Sequence, residues 1–312
     1  MPLLGTFGAA SKGGYGRGAF SQIVATGGSE VTTVGGYKYH FFTVTGTFSV
    51  TERGKADILV IGAGGGGGRS IAGGGGGGAV EGSSPFWQTQ NLSSGSYTVT
   101  IAAGGTGSTS DASRGGKPSA TSFAGSSTIS AEGGGGGGSA SPEGGDGGSG
   151  GSGGGGNGYA STRDGGGTSG SNTFAGGDGT IISAPFNSRG GGGGGATAAG
   201  VVGSTSGNGG EGITLTNIDS NLTSGNFTTL SGMTVISSGG GGGAGNSGSG
   251  PVPSGGGVGG TGAGNGGQKN DNGTVNISPT AAVSYGSGGG GGGSGTNGQN
   301  GKSGLVIVRY AV

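Results

Sequence analysis

Apolar and polar residues alternate strictly near the start of the chain. Tyr37, Tyr39 and Phe41 alternate with Lys38 and His40, and Phe48 and Val50 with Thr47, Ser49 and Thr51, the two-residue period of a half-exposed sheet. Residues 58–61 are continuously apolar, which makes that strand central. YKYHFFTVTG, TFSVTERG and KADILVIG therefore read as three strands separated by glycine-containing breaks. The same signature returns at Leu305, Val306, Ile307 and Val308, ahead of Arg309 and Tyr310. This last strand is expected to pair near Ile58 to Ile61, closing the domain and bringing its ends together.

Between these patterned ends the text changes. Glycine runs occupy residues 64–68, 73–78, 133–138, 153–156, 190–195, 239–243 and 288–293, and Ser/Thr/Asn-rich spacers separate them. Several runs are entered from a short β-like stretch, as in SYTVTIAAGG, STISAEGGGGGG, MTVISSGGGGG and AVSYGSGGGGGG. Glycine makes up 99 of the 312 residues and hydrophobic residues only 27%, too few for a conventional core. An isolated glycine run holds no single conformation, because glycine loses more backbone entropy on folding than any other residue. The left-handed helix with three residues per turn leaves every N–H and C=O pointing outward, and buried backbone groups need partners. Several such helices can pair laterally with no side chain between them. A six-residue run would span roughly 19 Å at about 3.1 Å per residue. The expected fold is thus mainly β and irregular, with essentially no α-helix: a small antiparallel sheet closed by the C-terminal strand, plus a polyglycine-II bundle. Its parts are an arm at residues 1–30, a β module at 31–63 completed by 304–312, and a glycine-rich region at 64–303.

Composition removes several classes. The runs lack the one-in-three glycine period and the abundant proline of collagen. The chain has no cysteine, which removes disulfides and thiolate metal sites, and a single histidine, His40. His40 sits in an alternating strand beside aromatic neighbours, where a structural or surface role, not a catalytic one, is expected. The 13 basic and 13 acidic residues cancel, which argues against nucleic-acid binding. No apolar stretch is long enough to span a membrane, and residues 1–10 lack the pattern of a secretory signal.

Catalytic motifs dissolve on inspection. Gly62, Gly64 and Gly67 follow an apolar strand in the spacing of a dinucleotide fingerprint, with Glu81 downstream, but at this glycine content the spacing recurs by chance and no helix can follow. Gly301, Lys302 and Ser303 mimic the end of a phosphate loop, yet Thr296 stands where its first glycine belongs. Asp146 and Asp178 lack the tandem calcium nonapeptide. Glu132, Glu143, Asp146, Asp164 and Asp178 read as solubilising charges. No catalytic residue, metal or cofactor is expected, and the chain does not read as an enzyme.

The aromatics outside the strands are more informative. Trp87 adjoins a strand and its turn and is expected to pack. Tyr159, Arg163, Asp164, Phe186, Asn187 and Phe227 lie in spacers, where they either cover the bundle's faces as satellite cores or, displayed on loops of a rigid scaffold, are the candidate contact residues.

YKYHFFTVTGTFSVT, ADILVIGAGGGGG, GSYTVTIAAGG, STISAEGGGGGG and GKSGLVIVRY together resemble the glycine-rich domain of tail-fibre and other structural proteins of tailed bacteriophages, particularly marine ones, over residues 31–310. The opening GTFGAASKGGYGRGAF is similar to N-terminal segments of such proteins. In run pattern the chain also resembles T-even-type tail-tip adhesins. The resemblance implies a virion tail protein whose arm, through Phe7, Tyr15, Arg17 and Phe20, docks on a fibre or baseplate partner. It implies either an adhesin whose loops bind a bacterial surface protein or glycan, or a purely structural tail component. Residues 212–238 form a longer spacer than this domain carries, read as a protruding hairpin used for contact.

Overall fold

The computed structural model describes residues 22–82, 86–140, 145–159, 163–183, 187–205, 207–246, 256–270 and 275–312. The early strands are β1 (Val24–Thr26), β2 (Glu30–Val34), β3 (Tyr37–Phe42), β4 (Gly46–Glu52) and β5 (Gly54–Ile61). Next come β6 (Gln88–Leu92), β7 (Gly95–Thr100), β8 (Thr121–Ala124), β9 (Thr128–Ala131), β10 (Thr180–Ser183) and β11 (Asn187–Arg189). The chain continues through β12 (Ile213–Thr214), β13 (Val235–Ile236), β14 (Ala244–Asn246), β15 (Gln268–Asn270), β16 (Val275–Ile277) and β17 (Leu305–Ala311). Helix is confined, among the described residues, to α1 (Leu215–Ile218) and a 3-10 turn at Thr228–Leu230.

The last strand pairs as the pattern predicts. β17 lies antiparallel between β3 and β5, with Leu305 opposite Ile61 and Val308 opposite both Ile58 and His40. The resulting sheet has the order β2-β3-β17-β5-β6. β4 does not join it. Phe48 and Val50 turn β4 into a second sheet, β1-β4-β7-β8-β9, stacked on the first. Two packed sheets, neither closed into a barrel, replace the single small sheet, because one face of β3, β5 and β17 needs an apolar cover.

Period-two geometry sorts the strand residues cleanly. Phe42, Ile58, Val60, Val306, Val308 and Tyr310 face the second sheet and meet Phe48, Val50, Val99 and Phe123. Tyr39, Phe41, Leu59, Ile61, Leu305 and Ile307 face the other way. The segment at 212–238 covers them: Leu215, Ile218, Leu222, Phe227, Leu230 and Ile236 are all buried against that face. It is a cap and not a protruding hairpin, because its apolar residues complete the layer that makes residues 58–61 and 305–308 buried on both sides.

Polar contacts fix the cap's position. Arg309 forms ion pairs with Asp219 and, at 3.2 Å, with Asp57, and its guanidinium lies over the rings of Trp87 and Tyr37 at 4.1 and 4.7 Å. The Tyr39 hydroxyl donates to Asp219 at 2.6 Å; burial first, then this carboxylate, pushes its pKa up to about 12. Backbone N–H groups of Thr228 and Thr229 donate to Glu30 at 2.9 and 2.7 Å. Trp87 Nε1 donates to the Ile218 carbonyl at 3.2 Å, so Trp87 packs as expected.

The glycine runs form the predicted bundle. Backbone N–H groups of Gly73, Gly76 and Ala79 donate to carbonyls of Gly138, Gly135 and Glu132. Those of Gly74 and Gly77 reach Gly191 and Gly194, and those of Ala72, Gly75 and Gly78 reach Gly292, Gly289 and Gly286. Every third amide points at the same neighbour, as three residues per turn require. The carbonyls of this run accept in the same rhythm: Gly73 and Gly76 from Gly68 and Gly65, Gly74 and Gly77 from Gly155 and Ser152, Ala72 and Gly75 from Gly243 and Gly240. Residues 73–78 therefore run along the axis of the bundle with six neighbouring segments around them.

None of the glycines in the seven runs adopts a left-handed φ. What the runs use is the missing Cβ. A Cβ on Gly75 would stand 2.1 Å from the Gly65 carbonyl oxygen, and one on Gly73 1.8 Å from that of Gly155. The same argument disposes of the fingerprint at Gly62, Gly64 and Gly67, whose segment is consumed in lateral pairing: the N–H groups of Gly62 and Gly64 reach Ala79 and Lys302.

Candidate functional site, the far end of the glycine bundle

The hydrogen-bond ladder gives the bundle two ends. Gly62, Ala79 and Glu132 pair where the runs leave the sandwich, and Gly68, Gly73 and Gly138 pair at the opposite end. Both ends of the described chain lie in the sandwich, with Ile23 in its core and Val312 N–H donating to the Gly36 carbonyl. The far end carries a third sheet, β10-β11-β14-β15-β16, in which only the β14–β15 pair is parallel.

The first turn of this far end is held in an unusual conformation. Ser70 and Ile71, consecutive and not glycine, have φ of 66° and 52°. For a β-branched residue this is costly, on the order of 1–3 kcal/mol, and it persists only where surroundings dictate it. Here they do. Ile71 is buried under Gly245, where a Cβ would stand 2.7 Å from Ile71 Cγ1. Asn157 Nδ2 donates to the Ser70 carbonyl at 2.8 Å, and Gly158 N–H to that of Ile71 at 2.9 Å.

Tyr159 follows directly. Its N–H donates to Asn157 Oδ1 at 2.6 Å, and its side chain is 61% exposed. Arg163 bridges its backbone to Gly179 and lies 3.9 Å from Asp146 through Nη1. Asp164 is exposed, and its carbonyl accepts from Gly147. Asn187 opens β11, opposite Ser183 and Asn246. The structure thus brings Tyr159, Arg163, Asp164 and Asn187 to one end. Phe186 lies outside the described residues, as do Phe7, Tyr15, Arg17 and Phe20.

Phe227 must be withdrawn as a contact residue. It is 1% exposed and packs against Tyr39 and Phe41 at ring-centroid distances of 5.1 and 4.7 Å, beside the sandwich. Of the structural and surface roles left open for His40, the structure gives the structural one: it is fully buried, Nδ1 lies 2.7 Å from the Gly27 carbonyl and Nε2 3.1 Å from the Tyr310 hydroxyl. The carbonyl can only accept, so Nδ1 carries the proton and Nε2 accepts from Tyr310. Burial lowers the His40 pKa.

Some residues at the far end escaped the reading of single motifs. Arg69 pairs with Asp111 at 2.5 Å and reaches Asn297 at 3.1 Å. Arg114 Nε donates to the Asp146 carbonyl at 2.6 Å. The signal was present as charges flanking the glycine runs, although only the fold shows that distant flanks converge. Among the described residues no group of three or more His, Cys, Asp or Glu could hold a metal ion, and no helix is long and apolar enough to cross a membrane.

No curated protein matches the chain. The family model of the glycine-rich domain matches residues 43–311, a span that takes in β4, β5, every glycine run and all of β17. A match over so much of the molecule, with the runs laid side by side as described, places this chain in the glycine-rich domain family.

Proposed function

We propose that the chain is a tail protein of a tailed bacteriophage that attaches the virion to its host through the loops at the far end of the bundle. One observation carries this reading: Tyr159, Arg163, Asp164 and Asn187 gather at the end opposite the sandwich where both ends of the described chain lie. A protein anchored by its sandwich end would present the exposed Tyr159 and Asp164 outward, with Arg163 beside them, whereas the Asn187 side-chain oxygen is buried. Braced turns such as Ser70–Ile71 support it, since a preformed contact surface loses little entropy on binding. The bound group is a bacterial surface protein or glycan engaged without chemistry, and several copies on a virion would sum weak contacts.

A second reading is a structural tail component. The pairing of Arg69 with Asp111 and of Arg163 with Asp146 favours it, because charges that satisfy each other are less available to a partner. Competition separates the two. Purified protein should block phage adsorption, and a Y159A/N187A variant that folds normally should block it at least tenfold less well. If folded wild-type protein does not compete, the structural reading replaces the adhesin.

A further inference from the structure

Asparagine stands directly before glycine at positions 157, 208, 265, 272, 297 and 300, and of these Asn272 lies outside the described residues. Asn–Gly is a chemically weak step. The glycine nitrogen attacks the asparagine Cγ, the Cγ–Nδ2 bond breaks, and ammonia leaves carrying the glycine proton. Water then opens the cyclic imide at either carbonyl, giving aspartate or isoaspartate, and isoaspartate lengthens the main chain by a methylene. Glycine at the second position has no side chain to hinder the attack, and asparagine is among the thermolabile residues.

In the folded chain both reacting groups are tied. Gly209 N–H donates to the Val258 carbonyl at 2.8 Å, while Val258 N–H donates to Asn208 Oδ1 at 2.9 Å. Gly266 N–H reaches the Gly257 carbonyl and Asn265 Oδ1 accepts from Gly259 N–H, both at 2.9 Å. Gly301 N–H reaches the Gly105 carbonyl at 2.9 Å, and Asn300 Oδ1 accepts from Gly107 N–H at 2.8 Å. Gly158 N–H and Asn157 Nδ2 donate to the carbonyls of Ile71 and Ser70. Gly298 N–H donates to the Ser108 carbonyl, and Asn297 Oδ1 accepts from Arg69. Burial is not the common cause, since Asn265, Asn297 and Asn300 are exposed. Ring closure would instead turn each glycine nitrogen away from its acceptor and break the lateral pairing that the buried backbone requires.

We propose that Asn157, Asn208, Asn265, Asn297 and Asn300 are latent deamidation sites: the lateral bonds of the bundle hold them shut, and they react once the chain is unfolded. Their reaction makes unfolding irreversible. An isoaspartate lengthens one segment and throws its amides out of the three-residue rhythm on which side-by-side pairing depends. Chemical modification that outruns refolding is a general route from reversible to irreversible loss. None of this depends on what the far end of the bundle binds.

The test ages the full chain at mildly alkaline pH, folded in buffer and unfolded in urea at the same pH and temperature, and follows each site by peptide mass spectrometry. All five sites should deamidate at least about tenfold more slowly in the folded chain, because reaction there waits on local opening. Reaction of Asn265, Asn297 or Asn300 in the folded protein at the unfolded rate would overturn the proposal, since exposure and not bonding would then govern them. The aged unfolded chain is next returned to buffer, and its soluble folded fraction is separated from the rest. Isoaspartate at these sites should be depleted from the folded fraction. Equal isoaspartate content in the folded and the misfolded material would show that the bundle knits around the modified segments, and irreversibility would have another cause.

Discussion

At the scale of single residues, glycine does two different jobs, and substitution separates them. Gly75 has an ordinary φ but backbone oxygen 2.1 Å from where a Cβ would stand. Neighbouring backbone cannot swing aside as a side chain does, so G75A should cost at least the about 1–3 kcal/mol typical of overpacking. Gly225 has no such neighbour, its nearest atom being 3.9 Å away, and no left-handed φ. G225A should be neutral or stabilise by up to about 1 kcal/mol through the unfolded chain. Equal losses for both variants in denaturant melts would contradict the close-approach argument. His40 supplies a pH prediction with a definite sign. Its folded pKa lies below the ordinary 6.5, so the unfolded chain binds the proton first as pH falls. Stability from this residue is intact above about pH 6.5, declines as pH drops below it, and is fully lost beneath the folded value. H40Q should flatten that part of the stability profile. The strand position of His40 excluded catalysis without choosing between a buried and a surface role, and the spacer around Phe227 left packing and contact equally open; burial decided both.

The element that sequence reading placed worst is the cap. Residues 212–238 are longer than the other spacers, and length alone suggested projection. The missing information was the partner surface, since Tyr39, Phe41, Leu59, Ile61, Leu305 and Ile307 come from three separated strands. F227A should cost about 3–5 kcal/mol, as for other buried Phe-to-Ala changes, while leaving competition for adsorption unchanged in the protein that folds. The chain's single tryptophan, Trp87, touches the cap and makes its fluorescence a direct report of docking. Burial alone would raise the pKa of Glu30, but hydrogen bonds from Thr229 and Thr228 outweigh it and hold the carboxyl below 4.5. Its contribution is therefore present above about pH 4.5 and lost as pH falls through the folded value. Wild-type Trp87 emission should change across that window, and E30Q should lack this component.

For the whole molecule, the interior is main chain. Residues 72–79 sit at the centre of six segments, and their amides alternate among three acceptors. Opening any one of them requires separating neighbours that are themselves bonded onward. Amide exchange should be slowest in residues 73–78 and fastest in exposed turns such as 109–113, with the runs exchanging as one cooperative unit. Rapid exchange throughout the runs, in a protein whose sandwich stays protected, would show that they are not knitted together.

The sequence determined by itself that glycine runs must pair side by side, that residues 37–61 and 305–310 must be strands, and that the last strand meets residues 58–61. Those conclusions follow from local facts: period, run length and the obligation of buried amides to find acceptors. Tertiary structure alone decided that β4 crosses to a second sheet, that residues 212–238 fold inward, that Phe227 is core, and that Tyr159, Arg163, Asp164 and Asn187 share one end. The physical reason is that glycine runs are interchangeable as text. Which run faces which is set by the lengths of the spacers and the packing at their ends, and these are properties of the assembled molecule.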